Sequence, residues 1–252
     1  MTTDAERLRT SLKRLGLHTI ADLCEREAQK AAKTKQSYAG FLGHLVEEEL
    51  AAKADRSINA RIARARFPAV RTLEAFQFDF QPTIPAALIR ELAELSFLDR
   101  AENLILVGPP GVGKSHLAIA LGIKACSAHK RVWFRPVPDL LDELVAATVD
   151  HTLAARLEAL GRLDLLILDE LGYLPMDPRR ANLFFQLISR RYEHGSIIIT
   201  SNKPFEEWGA IFGDDVIASA VLDRLLHHSH LVAISGQSYR TKDKRPPKQG
   251  GG

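Results

Sequence analysis

Apolar residues recur at helical spacing through the N-terminal part of the chain, up to about residue 67. They lie three or four residues apart, which is the spacing that places side chains on one face of an α-helix. The positions that carry this period are Leu8, Leu12, Leu15, Ile20, Leu23, Cys24, Phe41, Leu42, Leu45 and Leu50. The pattern predicts three or four helices.

Single residues mark the expected boundaries of these helices. Gly16 is expected to end the first helix, and Thr19 followed by Asp22 resembles a capping pair at the start of the second. The residue before Pro68 is disfavoured in the helical conformation, so the helical region should close there. The stretch 68–85, with its phenylalanines and prolines, is expected to be an extended linker.

Beyond residue 86 short apolar runs alternate with amphipathic stretches. Such continuous apolar runs are typical of parallel strands that helices cover on both faces. A helix is expected near 178–193, with Asp177 as its N-cap and Gly195 beyond its end. The expected strands are 104–108, 131–135, 165–169, 197–201 and 231–234. The predicted fold class is α/β, with an all-α domain over 1–70, an α/β domain over 71–243 and a basic tail over 244–252.

Composition indicates the class of protein and the cellular compartment in which it is expected. The chain is 46% apolar and 26% charged, as folded globular proteins are. It has no membrane-length apolar run and no apolar targeting segment at its start, so we expect a soluble, cytoplasmic protein without a membrane partner. Cys24 and Cys126 lack metal-type spacing and are expected to be free thiols.

The formal net charge of +3 hides a strong asymmetry. Residues 1–71 hold 14 basic and 9 acidic side chains, and residues 236–252 hold 5 and 1. The segment between them holds 15 basic and 21 acidic side chains. Two basic ends around an acidic body suggest that the ends contact a polyanion.

The strongest chemical signal follows the first expected strand. The run matches G-x-x-x-x-G-K-[ST], the phosphate-binding loop, and a helix-forming stretch follows it. Its backbone amides are expected to cradle phosphates, with Lys114 at the β/γ-phosphates and the Ser115 hydroxyl on Mg²⁺. The expected nucleotide-binding residues here are Gly108, Pro109, Pro110, Gly111, Val112, Gly113, Lys114, Ser115 and His116.

Polar residues end two later strands. Asp169 and Glu170 follow the apolar run 165–168, and Asn202 follows the β-branched run 197–200. Asp169 is expected on the Mg²⁺ side of the nucleotide, and Glu170 is expected to orient or deprotonate the attacking water. Asn202 could hold that water against the terminal phosphate, or could be a turn residue before Pro204.

These motifs together resemble an AAA+ ATPase, with Walker A, Walker B, sensor 1 at Asn202 and an arginine-finger motif at Asp223 and Arg224. Finer signatures resemble the IstB family, the helper ATPases of insertion-sequence transposition, which are related to the DnaC helicase loaders and the DnaA initiator. Those signatures are 64–68 (RARFP), 72–76 (TLEAF), 169–175 (DELGYLP) and 237–240 (QSYR). The resemblance extends from about residue 5 to 243.

The resemblance implies a P-loop NTPase domain of the AAA+ type. Its five-stranded parallel sheet would carry the sensor strand between the Walker A and Walker B strands. Arg224 would act in trans in a neighbour's nucleotide site, which makes hydrolysis depend on assembly, and the alternative is a pair with Asp223. Arg240 would contact nucleotide in the manner of sensor 2, in cis or in trans. Arg190 and Arg191 are expected as charges on a helix surface, and the alternative is that they face a site between subunits.

Basic side chains crowd the segment 51–71. On a continuous helix Arg61 and Arg64 lie one turn apart, where they could meet duplex phosphates in a salt-sensitive way. The expected DNA-binding residues are Lys53, Arg56, Arg61, Arg64 and Arg66, with looser contacts from Lys242, Lys244, Arg245 and Lys248. His227, His228 and His230 have no acidic or cysteine ligand pattern beside them in the sequence and are not expected to bind metal.

Three functions therefore compete. The first is an ATPase that uses ATP and Mg²⁺, oligomerises on duplex DNA, remodels it and presents it to a transposase. The second is a helicase loader whose N-terminal helices hold a replicative helicase. The third is a P-loop kinase of a small molecule, which would need neither Glu170 with Asn202 nor an arginine from a neighbour.

Overall fold

The computed structural model describes residues 4–240. The basic tail over 244–252 lies outside that range, and so do the four residues expected to make looser DNA contacts, Lys242, Lys244, Arg245 and Lys248. The chain divides between Ala60 and Arg61 into two compact units. The boundary expected at residue 70 stays a prediction. Within the described residues, no helix combines the length and the apolar character needed to cross a membrane.

Three helices form the first unit, as the apolar spacing predicted. They are α1 (Asp4–Arg14), α2 (His18–Thr34) and α3 (Tyr38–Ala65), and α3 continues beyond the division. Gly16 ends α1 with a φ of +72°, a conformation that glycine adopts without strain.

The expected capping pair at the start of α2 is wrong. Leu17 is the N-cap and offers no side-chain acceptor. The backbone amides of Thr19 and Ile20 donate instead to one carboxylate oxygen of Glu49 in α3, at 2.7 and 3.0 Å. Glu49 is 2% exposed, so a tertiary contact caps this helix in place of a local one.

The second unit alternates strands and helices. Its helices are α4 (Ala86–Ala93), α5 (Ser96–Asp99), α6 (Lys114–Ser127), α7 (Val137–Val149), α8 (Leu153–Gly161), α9 (Pro178–Arg191), α10 (Trp208–Phe212) and α11 (Asp215–Leu226). Its strands are β1 (Asn103–Val107), β2 (Val132–Pro136), β3 (Leu165–Leu171), β4 (Ser196–Ser201) and β5 (Ser229–Ala233). Asp177 caps α9 by accepting from the Arg180 amide, as predicted.

The five strands form one parallel sheet in the order β2-β3-β4-β1-β5. β4 therefore lies between β1 and β3, the order that the resemblance implied. Alternate strand residues face opposite layers, so Ile105 and Ile199 pack under α7 to α11 while Leu104 and Ile198 pack against α4 to α6. All five strands end at the same edge, where ligands of parallel sheets bind.

Two expectations for this unit are wrong. Residues 68–85 form turns and a short 3₁₀ helix (Phe78–Phe80) instead of an extended linker, and Ile84 is 4% exposed. Arg191 is no surface charge, because its side chain is 1% exposed and donates to three backbone carbonyls. In contrast Arg190 is exposed, as expected.

Candidate functional site

The phosphate-binding loop connects β1 to α6 at the carboxyl edge of the sheet. Gly113 immediately precedes α6 with a φ of +103°, and a Cβ there would lie 2.6 Å from the Phe76 ring. The loop thus has no room for a side chain at this position. Its turn exposes the amino end of a 14-residue helix, which carries a partial positive charge suited to phosphate.

Lys114 begins α6 and is 9% exposed. Its ammonium donates to the carbonyl oxygens of Gly108 and Pro109, at 2.6 and 2.8 Å. Burial lowers the pKa of Lys114, while the nearby Asp169 carboxylate acts in the opposite direction. The ammonium is therefore held inside the loop, at the position from which it can reach a bound phosphate.

A hydroxyl and a carboxylate from different elements meet beside the loop. Ser115 in α6 donates to Asp169 Oδ1 in β3 at 2.8 Å. Thr200 in β4 donates to the same oxygen at 2.5 Å. Because Asp169 is 7% exposed, these hydroxyls hold its carboxylate in a fixed orientation. Sequence analysis placed Ser115 and Asp169 at this site but missed Thr200.

Glu170, the next residue, has an exposed side chain and a φ of +65°. This left-handed conformation is costly for a residue with a Cβ and concentrates at functional sites. It occurs where the pairing of β3 with β4 shifts register between Leu168 and Leu171. Asn202 follows β4 directly and is half-buried.

Two chain segments lie against the loop. In the first, Phe76 contacts the His116 ring edge to face at 5.1 Å, and His116 Nε2 lies 2.8 Å from the carbonyl oxygen of Thr72. His116 thus holds the segment that precedes α4. Its predicted contact with nucleotide stays a prediction. Apart from its place in the TLEAF signature, no sequence pattern indicates that Phe76 lies at the loop.

In the second segment, the Tyr239 amide donates to the carbonyl oxygen of Gly111 at 2.9 Å. A Cβ on Gly111, whose φ is +82°, would lie 2.1 Å from Ser238 Oγ. Arg240 is close enough to Lys114 for its charge to contribute to the lowered pKa of that ammonium. Arg240 therefore lies beside the phosphate-binding loop of its own chain.

Arg224 lies away from this loop, near the carboxyl end of α11. Its guanidinium donates to the carbonyl oxygen of Ala220 and lies 4.8 Å from the centre of the Phe185 ring. A surface depression of about 580 Å³ runs beside it, lined by Asp215, Val216, Ser219, Ala220, Asp223 and Arg224. The side chain is thus placed on an open surface.

The expected DNA-binding residues differ in their surroundings. Lys53, Arg64 and Arg66 are exposed. Arg56 is engaged within its own unit, where it pairs with Glu49 at 2.7 Å.

Arg61 differs from these exposed cations. Its side chain is half-buried, with a buried Nε that has no hydrogen-bond partner among residues 4–240. Within the described chain, Lys53, Arg64 and Arg66 are thus the cations of this set most open to a polyanion.

An acidic residue that is distant in sequence lies next to two of the three histidines. Glu193 Oε1 lies 4.0 Å from both His227 Nδ1 and His228 Nε2. All three side chains are more than half exposed, and the Tyr192 hydroxyl lies 2.8 Å from His227 Nδ1. Glu193 is distant in sequence, so spacing could not reveal this contact.

The loop residues fit a nucleoside triphosphate with Mg²⁺. Gly111 and Gly113 supply the positive φ values that the tight loop requires, the Lys114 ammonium lies within the loop, and Ser115 with Asp169 offers the hard oxygen ligands that Mg²⁺ prefers.

Comparisons with known proteins agree with this chemistry. The model of the IstB-like ATP binding protein family matches residues 10–247. A protein of Pseudomonas aeruginosa, named as an ATP-binding protein of insertion sequence IS21, is 49% identical over 238 residues, covering 94% of this chain and 90% of its own. The corresponding IS5376 protein of Geobacillus stearothermophilus is 43% identical over 240 residues, covering 95% and 96%.

A solved structure resembles the second unit. It is the AMPPCP-bound DnaA of Aquifex aeolicus, with a TM-score of 0.56, 23% identity, and coverage of 70% of this chain and 53% of that one. The likeness shows the fold, a five-stranded parallel sheet of the AAA+ type. Together with the family match over nearly the whole chain, it leads to one conclusion: this chain belongs to the family of IstB-like ATP-binding proteins.

Proposed function

We propose that this protein hydrolyses ATP, oligomerises on duplex DNA, remodels it and presents it to a transposase. The observation that carries hydrolysis is the arrangement of Ser115, Asp169 and Glu170 beside the phosphate-binding loop. A loop that only bound nucleotide would not require a second carboxylate, exposed to solvent, near the end of β3. The steps on DNA and with a transposase are supported by membership of a family whose relatives are named for insertion sequences.

Each residue has a role that suits its position. Lys114 would neutralise the β/γ-phosphates, and Ser115 with Asp169 would hold Mg²⁺. When bound, Mg²⁺ neutralises charge that develops on the phosphate oxygens. Glu170 would orient or deprotonate the attacking water, because its carboxylate is exposed at the carboxyl edge of the sheet. Asn202, at the end of the next strand, would hold the same water.

Hydrolysis would depend on assembly. Arg224 lies on an open surface of α11, away from its own phosphate-binding loop, so it would complete the site of a neighbouring subunit. Arg240, in contrast, lies beside its own loop and would act in cis. Bound ATP would therefore be hydrolysed only when a neighbouring subunit supplies Arg224.

Duplex DNA would meet the exposed cations Lys53, Arg64 and Arg66. Contacts to phosphates alone give sequence-tolerant, salt-sensitive binding, and each contact adds about one unit to the slope of log affinity against log salt. Such binding suits a protein that acts on varied target sites.

Phosphate release, measured against protein concentration and duplex DNA, tests the proposal. We expect the rate per subunit to rise with both. Lys114→Ala should abolish nucleotide binding, Glu170→Gln should bind ATP and stay assembled, and Arg190→Ala should behave as the wild type because Arg190 is an exposed cation away from the site.

Mixing tests the trans role of Arg224. Arg224→Ala and Lys114→Ala should each be inactive, and their mixture should regain part of the activity because one subunit supplies the arginine and the other the loop. Flat rates in both titrations, with phosphate passed to a small acceptor, would favour a kinase and refute the proposal.

DNA contact has its own test. Arg64→Glu with Arg66→Glu should weaken retention of labelled duplex and lower the salt slope by about two, with nucleotide affinity unchanged. Arg162→Glu is the matched charge reversal, on an exposed arginine that pairs with Glu158. Equal retention by both variants would contradict the assignment.

A further inference from the structure

The strand β4 carries a buried hydroxyl directly opposite the candidate catalytic carboxylates. Thr200 is 1% exposed and is the last residue but one of β4. Valine has nearly the same shape and would pack equally well beside the β-branched residues of this strand. A hydroxyl at this depth is costly unless it is fully hydrogen-bonded, so its partners show what it does.

The register of the sheet explains why a side chain is needed here. Leu168 pairs with Ile199 and Leu171 pairs with Ser201. Two residues of β3, Asp169 and Glu170, therefore face the single residue Thr200. This is a β-bulge, which interrupts the backbone ladder and redirects side chains.

Thr200 fills the gap that the bulge leaves. The Glu170 amide donates to Thr200 Oγ1 at 3.0 Å, where a regular ladder would offer a backbone carbonyl. Thr200 Oγ1 in turn donates to Asp169 Oδ1 at 2.5 Å. A hydroxyl donates one proton and accepts through the lone pairs of its oxygen. Thr200 accepts from the Glu170 amide and donates to Asp169, so the two bonds together fix the orientation of its hydroxyl.

The bulge gives the two carboxylates different directions. Asp169 faces inward to Ser115, whereas Glu170 is exposed and takes the left-handed φ of +65°. For a residue other than glycine that conformation costs about 1–2 kcal/mol, so the surrounding contacts must hold it. The bond from the Glu170 amide to Thr200 is such a contact.

We infer that Thr200 is a positioning residue for ATP hydrolysis, which holds Asp169 toward Ser115 and Glu170 in its left-handed conformation. The inference rests on the proposed ATPase function. Thr200 acts through the two carboxylates, and its removal should affect the chemical step more than the affinity for nucleotide, which the loop supplies.

Thr200→Val tests this role because it removes the hydroxyl and keeps the shape. Thr200→Ser keeps the hydroxyl. Ser196→Ala is the matched control, since Ser196 is a fully buried hydroxyl at the other end of β4, bonded to the Phe97 carbonyl oxygen. Each variant is compared for kcat, for ATP affinity by fluorescence titration, and for amide exchange without nucleotide.

We expect Thr200→Val to lose about 10- to 100-fold in kcat, since small misplacements of catalytic groups cost that much, with ATP affinity within about threefold of wild type. Its Glu170 amide should exchange at least about tenfold faster, because the acceptor of that N–H is gone. Thr200→Ser should restore both values, and Ser196→Ala should change neither.

The outcomes separate the two claims. Wild-type protein that releases no phosphate would refute the proposed function and this role with it. An active wild type with Thr200→Val at the same kcat, or with unchanged exchange at Glu170, would refute the role of Thr200 alone. If Thr200→Val does not fold, Thr200→Cys applies the same comparison with a much weaker hydrogen-bonding group.

Discussion

Arg191 offers the sharpest test of how the ATPase unit is held together. Its guanidinium donates to the carbonyl oxygens of Leu160 (2.6 Å), Leu163 (3.1 Å) and Ser196 (2.8 Å). These acceptors belong to the end of α8, the turn after it and the start of β4. One side chain thus joins the end of a helix to the first residue of a central strand, and replacing it with alanine removes all three bonds.

The magnitude follows from two opposing effects. Burial lowers the pKa of Arg191 to about 10 against the opposing charge of Asp164, which corresponds to a net cost of about 3 kcal/mol for the charged form. Three hydrogen bonds from a charged donor contribute about 1.5–3 kcal/mol each. The bonds therefore outweigh the cost. Alanine would also leave three carbonyls without their donor, so we expect a loss of about 3–5 kcal/mol in the free energy of unfolding.

Urea unfolding of the full chain measures this loss. For a unit of this size it corresponds to a fall of roughly 10 °C in Tm. Arg191→Met, which keeps most of the volume, should recover little, and Arg191→Lys should recover only part because one ammonium cannot span three acceptors. Arg190→Ala, on the exposed neighbour, should stay within about 0.5 kcal/mol. Equal effects of Arg190→Ala and Arg191→Ala would refute the reasoning.

Three further predictions concern other parts of the chain. Glu49→Ala should lower the free energy of unfolding of the helical unit by about 2 kcal/mol in a urea titration, because two amides at the start of α2 lose their buried acceptor. An unchanged urea midpoint would show that water caps these amides equally well. Arg100 lowers the pKa of Glu102 from 4.5 to about 2, and because the Arg100 side chain is half exposed, solvent screening limits the stability that the folded carboxylate adds above pH 4.5 to about 1 kcal/mol. That stability should vanish as the pH falls from 4.5 toward 2, and acid titrations of Glu102→Gln should lack this loss. Gly113→Ala should weaken nucleotide binding at least about a hundredfold in a fluorescence titration, since its Cβ would meet Phe76, and wild-type affinity would show that this ring moves freely.

The local sequence pattern was enough to predict most of the strands and helices. The strand ends at residues 107, 136, 171, 201 and 233 lie within about two residues of the predicted ones, because apolar runs of this kind bury both faces. Asp177 was also predicted correctly as an N-cap, since its acceptor acts on an amide three residues away. The order of the strands came from the family resemblance, because local pattern does not say which strands are neighbours.

Predictions failed where the partner is distant in sequence. The amides of α2 find Glu49, 29 and 30 residues further along, and Arg191 finds the Leu160 carbonyl 31 residues back. A polar residue on a helix is expected at the surface when only its neighbours are known. Burial with distant partners reverses that expectation, and no local pattern encodes it.

The sequence by itself determined the phosphate-binding loop, the alternation of strands and helices, and the identity of the acidic residues near the end of β3. Those features depend on residues within one or two turns of each other. The tertiary structure alone decided that Thr200 faces Asp169 and Glu170, 31 and 30 residues away, and that a bulge gives the two carboxylates different directions. The physical reason is that register between strands is set by the packing of the whole sheet, so the side chain opposite a bulge is known only once the strands are paired.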